Sequence, residues 1–392
     1  MAKKVTASSG IPPKAVNIGK EALALHKKLG GKIFTGLSTP VKTRADLSLV
    51  YTPGVAAVSS YVAKHPEKAK DYTIKGKTVA VISDGSAVLG LGNVGPLGAL
   101  PVMEGKAALF KTFANVDAFP IVLNTQHVDE IVEAICAIAP TFGGINLEDF
   151  SAPRCFEIEK RLKEKLDIPV MHDDQHGTAI VVLAGLINAA KVVGKKLESL
   201  RVVISGAGAA GTAIAKLFLL AGIKHITLLD SKGVIVRGRG DLKGHKEELA
   251  DTTNPHGVSG DLHDALRGAD VVIGVSGPNI IDAAHIKRMN KNPIVFALAN
   301  PVPEIMPEAA KRVGATVVAT GRSDYPNQIN NSLVFPGVFR GALDHGVKHI
   351  TEEMKIKAAY NLAALVKKPT AEKIIPTPFE KGIVQAVANA IR

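Results

Sequence analysis

The chain has no tryptophan, only 4% aromatic residues and two cysteines in 392 residues. Each shortage removes a class of function. Without aromatic side chains to stack on bases, a surface for single-stranded nucleic acid has little to work with. Two thiols, Cys136 and Cys155, cannot staple a secreted disulfide scaffold; they read as free cysteines of a cytoplasmic protein. No apolar stretch follows the opening "MAKKVTASSG", so no secretory signal is expected there, although its basic, serine-containing character also suits an organelle-targeting arm. Long hydrophobic runs are scarce too. The one candidate, "VVISGAGAAGTAIAKLFLLAGI" at 202–223, holds a single charge in 22 residues, enough length to span a bilayer. Its β-branched start, glycine cluster and helical periodicity describe a strand, a turn and a helix instead, and no membrane contact is expected.

What is present is globular. Hydrophobic residues make up 46% and charged residues 21%, and the length suggests two or three domains. Basic residues outnumber acidic ones, 48 to 36, for a net charge of +12. They are spread over helix-like segments such as "EIEKRLKEKL" rather than massed in a block. That pattern suits small anionic substrates and dinucleotides, and no nucleic-acid partner is expected.

Short apolar runs alternate with helical patterns from "KTVAVISDG" (77–85) through "AFPIVLNT", "INLEDFS" and "IPVMHDD". A second series follows from about 178: "RVVISGAG", "HITLLDSKG", "DVVIGVSG", "PIVFALANP" and "TVVATG". Such alternation indicates parallel sheets covered on both faces. The expected fold is α/β with two domains: a parallel-sheet catalytic domain over 1–177 and a Rossmann dinucleotide-binding domain over 178–345. C-terminal helices over 346–392 are expected to pack back on the first domain.

The second series opens on a fingerprint. Gly206, Ala207, Gly208, Ala209, Ala210 and Gly211 form GxGxxG after a β run and at the start of a helix. Asp230 ends the next strand 19 residues later. In that context the glycines allow a tight turn, close approach of a pyrophosphate and close helix packing, and Asp230 would accept ribose hydroxyls.

The first series carries acid. Glu148 and Asp149 stand at the end of one strand, and Asp173 and Asp174 hold the same place one βα unit later. Parallel strands open their carboxyl ends on one edge, so the two pairs can converge. Carboxylates without cysteine favour Mg²⁺ or Mn²⁺; His172 and His176 leave zinc as an alternative. Helix N-capping is the ordinary reading of such acids, and it explains one pair better than two.

Several stretches together go further: "YTPGVA" at 51, "SDGSAVLGLGNVGPLGALPVMEGKAALFK" at 83, "INLEDF" at 145, "HDDQHGTAIVVLAGLINA" at 172, "FALANPVPE" and "NQINNSLVFPGVFRGALD". In these the chain resembles the malic enzyme family, specifically its short bacterial and archaeal branch, over nearly its whole length. The resemblance implies oxidative decarboxylation of L-malate to pyruvate and CO₂ with reduction of NAD⁺ or NADP⁺, a requirement for Mg²⁺ or Mn²⁺, decarboxylation of oxaloacetate, and a homodimer or higher oligomer. It makes Tyr51 the general acid and Lys106 the general base, with a lowered Lys106 pKa expected beside a metal. Glu148, Asp149 and Asp174 become the metal ligands, with Asp173 behind them as a further catalytic group.

Asn300 of "LANP" and Asn331 of "INNS" look like substrate or nicotinamide contacts, with Asn330 an alternative to Asn331. Longer eukaryotic members carry an arginine where this chain has Ala87, which leaves the substrate carboxylate to the metal charge and to amides of the "GLGNVG" loop. Two rival readings stand beside this one: a malolactic-type decarboxylase with no net NAD turnover, and a silent NAD-sensing regulator. Asp230 should repel the 2′-phosphate of NADP⁺, a slight lean to NAD⁺ that Lys232 could offset.

Overall fold

The computed structural model describes residues 13–88 and 90–392. The opening segment, and with it the expected absence of a secretory signal, lies outside the described residues. Four helices come first, α1 (Pro13–Leu29), α2 (Arg44–Val50), α3 (Gly54–Lys64) and α4 (Ala69–Tyr72). Then follow β1 (Thr78–Ser83), α5 (Gly95–Ala114), β2 (Asp117–Val122), α6 (Val128–Ile138), β3 (Gly144–Leu147), α7 (Arg154–Lys165) and β4 (Val170–His172). The second half runs α8 (Asp173–Val192), β5 (Arg201–Ser205), α9 (Ala209–Leu220), β6 (His225–Asp230), β7 (Gly233–Val234), α10 (His245–Thr252), α11 (Leu262–Ala265) and β8 (Val271–Gly274). It continues with α12 (Ala283–Lys287), β9 (Ile294–Ala297), α13 (Pro307–Arg312) and β10 (Val317–Thr320), and closes on α14 (Phe335–His345), α15 (Glu352–Ala364) and α16 (Ile383–Ala388).

The expected α/β architecture is present as two sheets. The first has the order β2-β1-β3-β4 and is parallel throughout. Every residue of β1 is buried, as a strand covered on both faces requires. The chain leaves β1 for β2 on one side and returns to β3 on the other, so a crevice opens beyond the carboxyl ends of β1 and β3. The second sheet, β10-β9-β8-β5-β6-β7, repeats this device between β5 and β8. Its one antiparallel pair, β6 with β7, was not legible, since a two-residue strand is too short to show alternation.

Between the sheets runs α8, which is apolar on nearly every face and is buried accordingly. It packs on α9 and α15. The expected boundary at 177/178 falls inside this helix, which both halves share. The C-terminal segment does pack back on the first half: Lys355 of α15 reaches His176 (3.0 Å), and Phe379 meets the Phe113 ring of α5 edge-on. Helix α16 lies on α14, and Asn188 of α8 donates Nδ2 to the carbonyls of Ala363 (2.8 Å) and Ile374 (2.9 Å).

The N-terminal helices are different. No residue from 18 to 77 is buried, and Leu23, Phe34, Leu37 and Leu49 are among the large apolar side chains left exposed. Lys32 ties this arm to α5, its amide donating to Glu104 Oε2 (3.0 Å) and its Nζ to the Pro101 carbonyl (2.6 Å). Among the described residues no helix is long and apolar enough to cross a membrane.

Candidate active site

At the carboxyl edge of the first sheet the chain concentrates acid around one lysine. Lys106 projects from α5, and its Nζ lies 2.5 Å from Asp173 Oδ2, 2.8 Å from Glu148 Oε1 and 3.2 Å from Asn331 Oδ1. It also stands 4.5 Å over the Phe335 ring, a cation–π contact. Glu148 takes a second hydrogen bond from Asn146 Nδ2 (3.0 Å), and Asp174 Oδ2 accepts the amide of Asp149 (2.7 Å). Asp149 sits at φ +57°, a left-handed backbone that aspartate tolerates better than most residues.

The electrostatics are lopsided, with four carboxylates against one ammonium. Burial pushes the Lys106 pKa down, but Asp173, Glu148 and Asp174 outweigh it and the net direction is up. The lowering expected beside a metal is not what the protein's own groups produce. Burial, reinforced by Asp174, drives Glu148 well above the carboxylate range, and burial lifts Asp173 to about 6 against the pull of Lys106. Buried acids raised this way stay ionised only beside a cation.

A cation would fit. Glu148, Asp149 and Asp174 each offer a carboxylate oxygen, and the three atoms lie within 4.8 Å of one another. An all-oxygen set suits a hard divalent ion. Neither histidine belongs to this oxygen set. His176 is engaged by Glu159 (2.9 Å) and Lys355 (3.0 Å), and His172 lies outside the cluster, its Nε2 3.7 Å from Asp174. N-capping does not account for the acids either. Asp173 and Asp174 occupy the first turn of α8, where negative charge is favourable, but no side chain caps it.

The second sheet faces the same space. A cavity of about 870 Å³ is lined by Lys106, Glu148, Asp149 and Asp174, and also by Gly208, Ala209 and Ala210 of the glycine turn. Gly206 has φ +122°, and a Cβ there would lie 2.6 Å from the Val275 carbonyl oxygen. A Cβ on Gly211 would overlap the Gly206 carbonyl, so only glycine lets α9 start this close to β5. Ala87, Asn300, Asn330 and Asn331 also line the cavity. Of the two adjacent asparagines, Asn331 touches Lys106, while Asn330 Oδ1 accepts the Ser332 amide (2.9 Å).

Two predicted residues stand apart. Tyr51 ends α2, is 65% exposed and does not line the cavity. Asp230 lies at the far end of the glycine turn, at the end of β6, already neutralised: Oδ2 accepts from Arg239 Nη2 and Lys246 Nζ, both at 2.6 Å. These bonds, with the Lys232 amide, outweigh burial and hold its carboxyl below the usual range. The Lys232 side chain pairs instead with Asp241 (3.0 Å).

Sequence reasoning missed Glu304. Fully buried, it accepts the amides of Ser276 (3.1 Å) and Ala299 (3.0 Å), tying together the loops that leave β8 and β9 and line the cavity. A lone acid in the apolar "NPVPE" was the available signal.

A glycine-turn Rossmann sheet and a buried lysine–carboxylate cluster on one cavity define a dinucleotide-binding α/β enzyme. The chain belongs to the malic enzyme family: residues 30–163 match the malic enzyme N-terminal domain, and residues 175–389 match the malic enzyme NAD binding domain. It is 56% identical to an NAD-dependent malic enzyme of Geobacillus stearothermophilus, over 96% of this chain and 79% of that protein. It is 54% identical to a bifunctional malic/malolactic enzyme of Bacillus subtilis, over 96% and 92% of the two chains. The crystal structure of an NAD-dependent malic enzyme from Thermotoga maritima superposes with a TM-score of 0.92 at 50% identity, covering 94% of this chain and 98% of that one.

Proposed function

We propose that the protein converts L-malate to pyruvate and CO₂ while reducing NAD⁺ or NADP⁺, with Mg²⁺ or Mn²⁺ on Glu148, Asp149 and Asp174, and that it also decarboxylates oxaloacetate. What carries this reading is one cavity lined at once by Lys106, the acidic cluster and the glycine turn. Bound there, a dinucleotide supplies a hydride acceptor and a divalent cation supplies Lewis-acid charge. As the free amine, Lys106 Nζ would take the substrate hydroxyl proton, and Asp173 and Asn331 would hold the ammonium that results. The hold of Glu148 and Asp174 on the Lys106 proton weakens once their charge is spent on a cation.

The test is malate-dependent formation of reduced cofactor with NAD⁺ and NADP⁺, each with and without Mn²⁺. A Mn²⁺-dependent signal is expected, and none with either dinucleotide overturns the reading. The name of the Bacillus relative favours a malolactic second reading. Lactate formed with no net reduced cofactor would select it.

The charges around Asp230 support use of both dinucleotides. Arg239, Lys246 and Lys232 outnumber Asp230 and Asp241, which offsets the repulsion an aspartate alone would exert on a 2′-phosphate. Lys246→Glu is expected to lower kcat/KM for NADP⁺ by about tenfold, the scale of one charged hydrogen bond, and to leave NAD⁺ nearly unchanged. Equal losses with the two cofactors would reject this assignment.

Tyr51 as proton donor to C3 of the product enolate, and a homo-oligomer, belong to one reading. The exposed apolar arm is a surface that monomers seldom leave open. A second copy covering it would let Tyr51 serve the neighbouring cavity. Light scattering is expected to give at least twice the chain mass of 41.1 kDa. Tyr51→Phe and Lys106→Met, each impaired alone, are expected to regain activity when mixed under subunit exchange, because one mixed site then holds both native groups. No recovery between chains shown to exchange would refute the shared site. We further propose a cytoplasmic location, supported by the free Cys136 and Cys155, and a functional division at 1–177, 178–345 and 346–392.

A further inference from the structure

Behind the acidic cluster lies a second set of ionisable side chains that the reaction does not use. Glu159 of α7, His176 of α8 and Lys355 of α15 meet out of solvent. Lys355 is only 1% exposed, an uncommon place for a lysine. Its Nζ lies 3.0 Å from His176 Nδ1 and 2.6 Å from Glu352 Oε1. His176 Nε2 lies 2.9 Å from Glu159 Oε2. The other oxygen of Glu159 accepts the backbone amide of His172 (3.0 Å) and meets Lys163 Nζ at 2.9 Å.

These partners fix the hydrogens. An ammonium only donates, so Nδ1 of His176 accepts; a carboxylate only accepts, so Nε2 carries the hydrogen. The ring is thereby held in one tautomer and one orientation. Stability alone does not explain the arrangement, because apolar side chains of similar volume usually hold helices together at least as well as buried ions.

The location supplies the reason. Glu159 grips His172, the last residue of β4, and His176 sits one turn into α8. Asp173 and Asp174 lie between those two anchors. We propose that Lys355 is a positioning residue of the metal centre: through His176 and Glu159 it fixes the corner from β4 into α8 that sets Asp173 against Lys106 and Asp174 against Asp149. The C-terminal helix α15 is then part of the active site without touching substrate. This rests on reading Glu148, Asp149 and Asp174 as metal ligands.

The test titrates Mn²⁺ into the full-length protein and follows free Mn²⁺ by electron paramagnetic resonance, with NAD⁺ affinity and melting temperature measured alongside. Lys355→Met leaves Nδ1 without its donor and is expected to weaken Mn²⁺ binding by at least about tenfold, the scale for groups that orient metal ligands. NAD⁺ affinity is expected to stay near the parent value. Lys355→Gln, which keeps an N–H donor, is expected to restore most of the Mn²⁺ affinity. A Lys355→Met protein that binds Mn²⁺ as the parent does and only melts earlier would reduce Lys355 to a structural role and overturn the proposal. Should that variant not fold, His176→Phe takes its place: it removes the ring nitrogens through which Lys355 reaches Glu159, and unchanged Mn²⁺ affinity there would also overturn the proposal. A parent protein that binds no Mn²⁺ would defeat the ligand reading itself, a separate result.

Discussion

Replacing Lys106 by alanine is expected to cut malate oxidation by about 10²–10⁴-fold, the range for a missing acid–base group. The size follows from where the ammonium stands: 2.5 Å from Asp173, 2.8 Å from Glu148 and on the wall of the cavity. No other lysine, histidine or arginine stands within ion-pair distance of Glu148 or Asp173 among the described residues, so no second basic side chain stands in its place. Truncation also leaves two buried carboxylates facing each other, a change that typically costs about 3–5 kcal/mol of stability. Activity alone would not separate the two effects. Mn²⁺ binding does, because removing a competing cation from beside the ligands is expected to leave metal affinity the same or higher. A Lys106→Ala enzyme with near-parental turnover at saturating Mn²⁺ would exclude Lys106 as the base.

Much of this site was legible because topology constrains it. Buried parallel strands read as unbroken apolar runs, and "TVAVIS" and "VVIG" became β1 and β8. Once parallel strands were inferred, Glu148–Asp149 and Asp173–Asp174 had to share one edge, and they do. The glycine turn was readable from its strand, helix and following aspartate. Partners remote in sequence were not readable. The direction of the Lys106 pKa depends on Asp173, 67 positions away, and an argument from desolvation and metal charge alone gave the opposite sign. Asp230 looked like a free carboxylate until Arg239 and Lys246, distant by 9 and 16 positions, closed on it. The motif placed Tyr51 at the chemistry, but nothing in a single sequence reports which cavity an exposed arm serves. Lys355 read as one more charge on an amphipathic surface, because no local pattern marks a lysine destined for burial.

Removing the metal is expected to abolish activity, and Mn²⁺ or Mg²⁺ to restore it. Within the cluster, Asp174→Asn is expected to weaken metal affinity or turnover by at least about tenfold. The substitution is a clean probe because asparagine keeps an oxygen for the Asp149 amide and deletes the charge. Deleting it relieves repulsion in the empty site, since Asp174 is one of the groups that drive Glu148 upward. The metal-free variant is therefore expected to melt at or above the parent temperature. The loaded states should reverse that order, because an ion that binds only the folded protein stabilises it in proportion to its affinity. Parent protein gains melting temperature on adding Mn²⁺, and Asp174→Asn gains little. Opposite signs in the two states are what a ligand carboxylate requires; a helix-start carboxylate would lose stability in both. Full malate oxidation in excess chelator, or a Mn²⁺-induced shift in Asp174→Asn equal to that of the parent, would remove Asp174 from the ligand set.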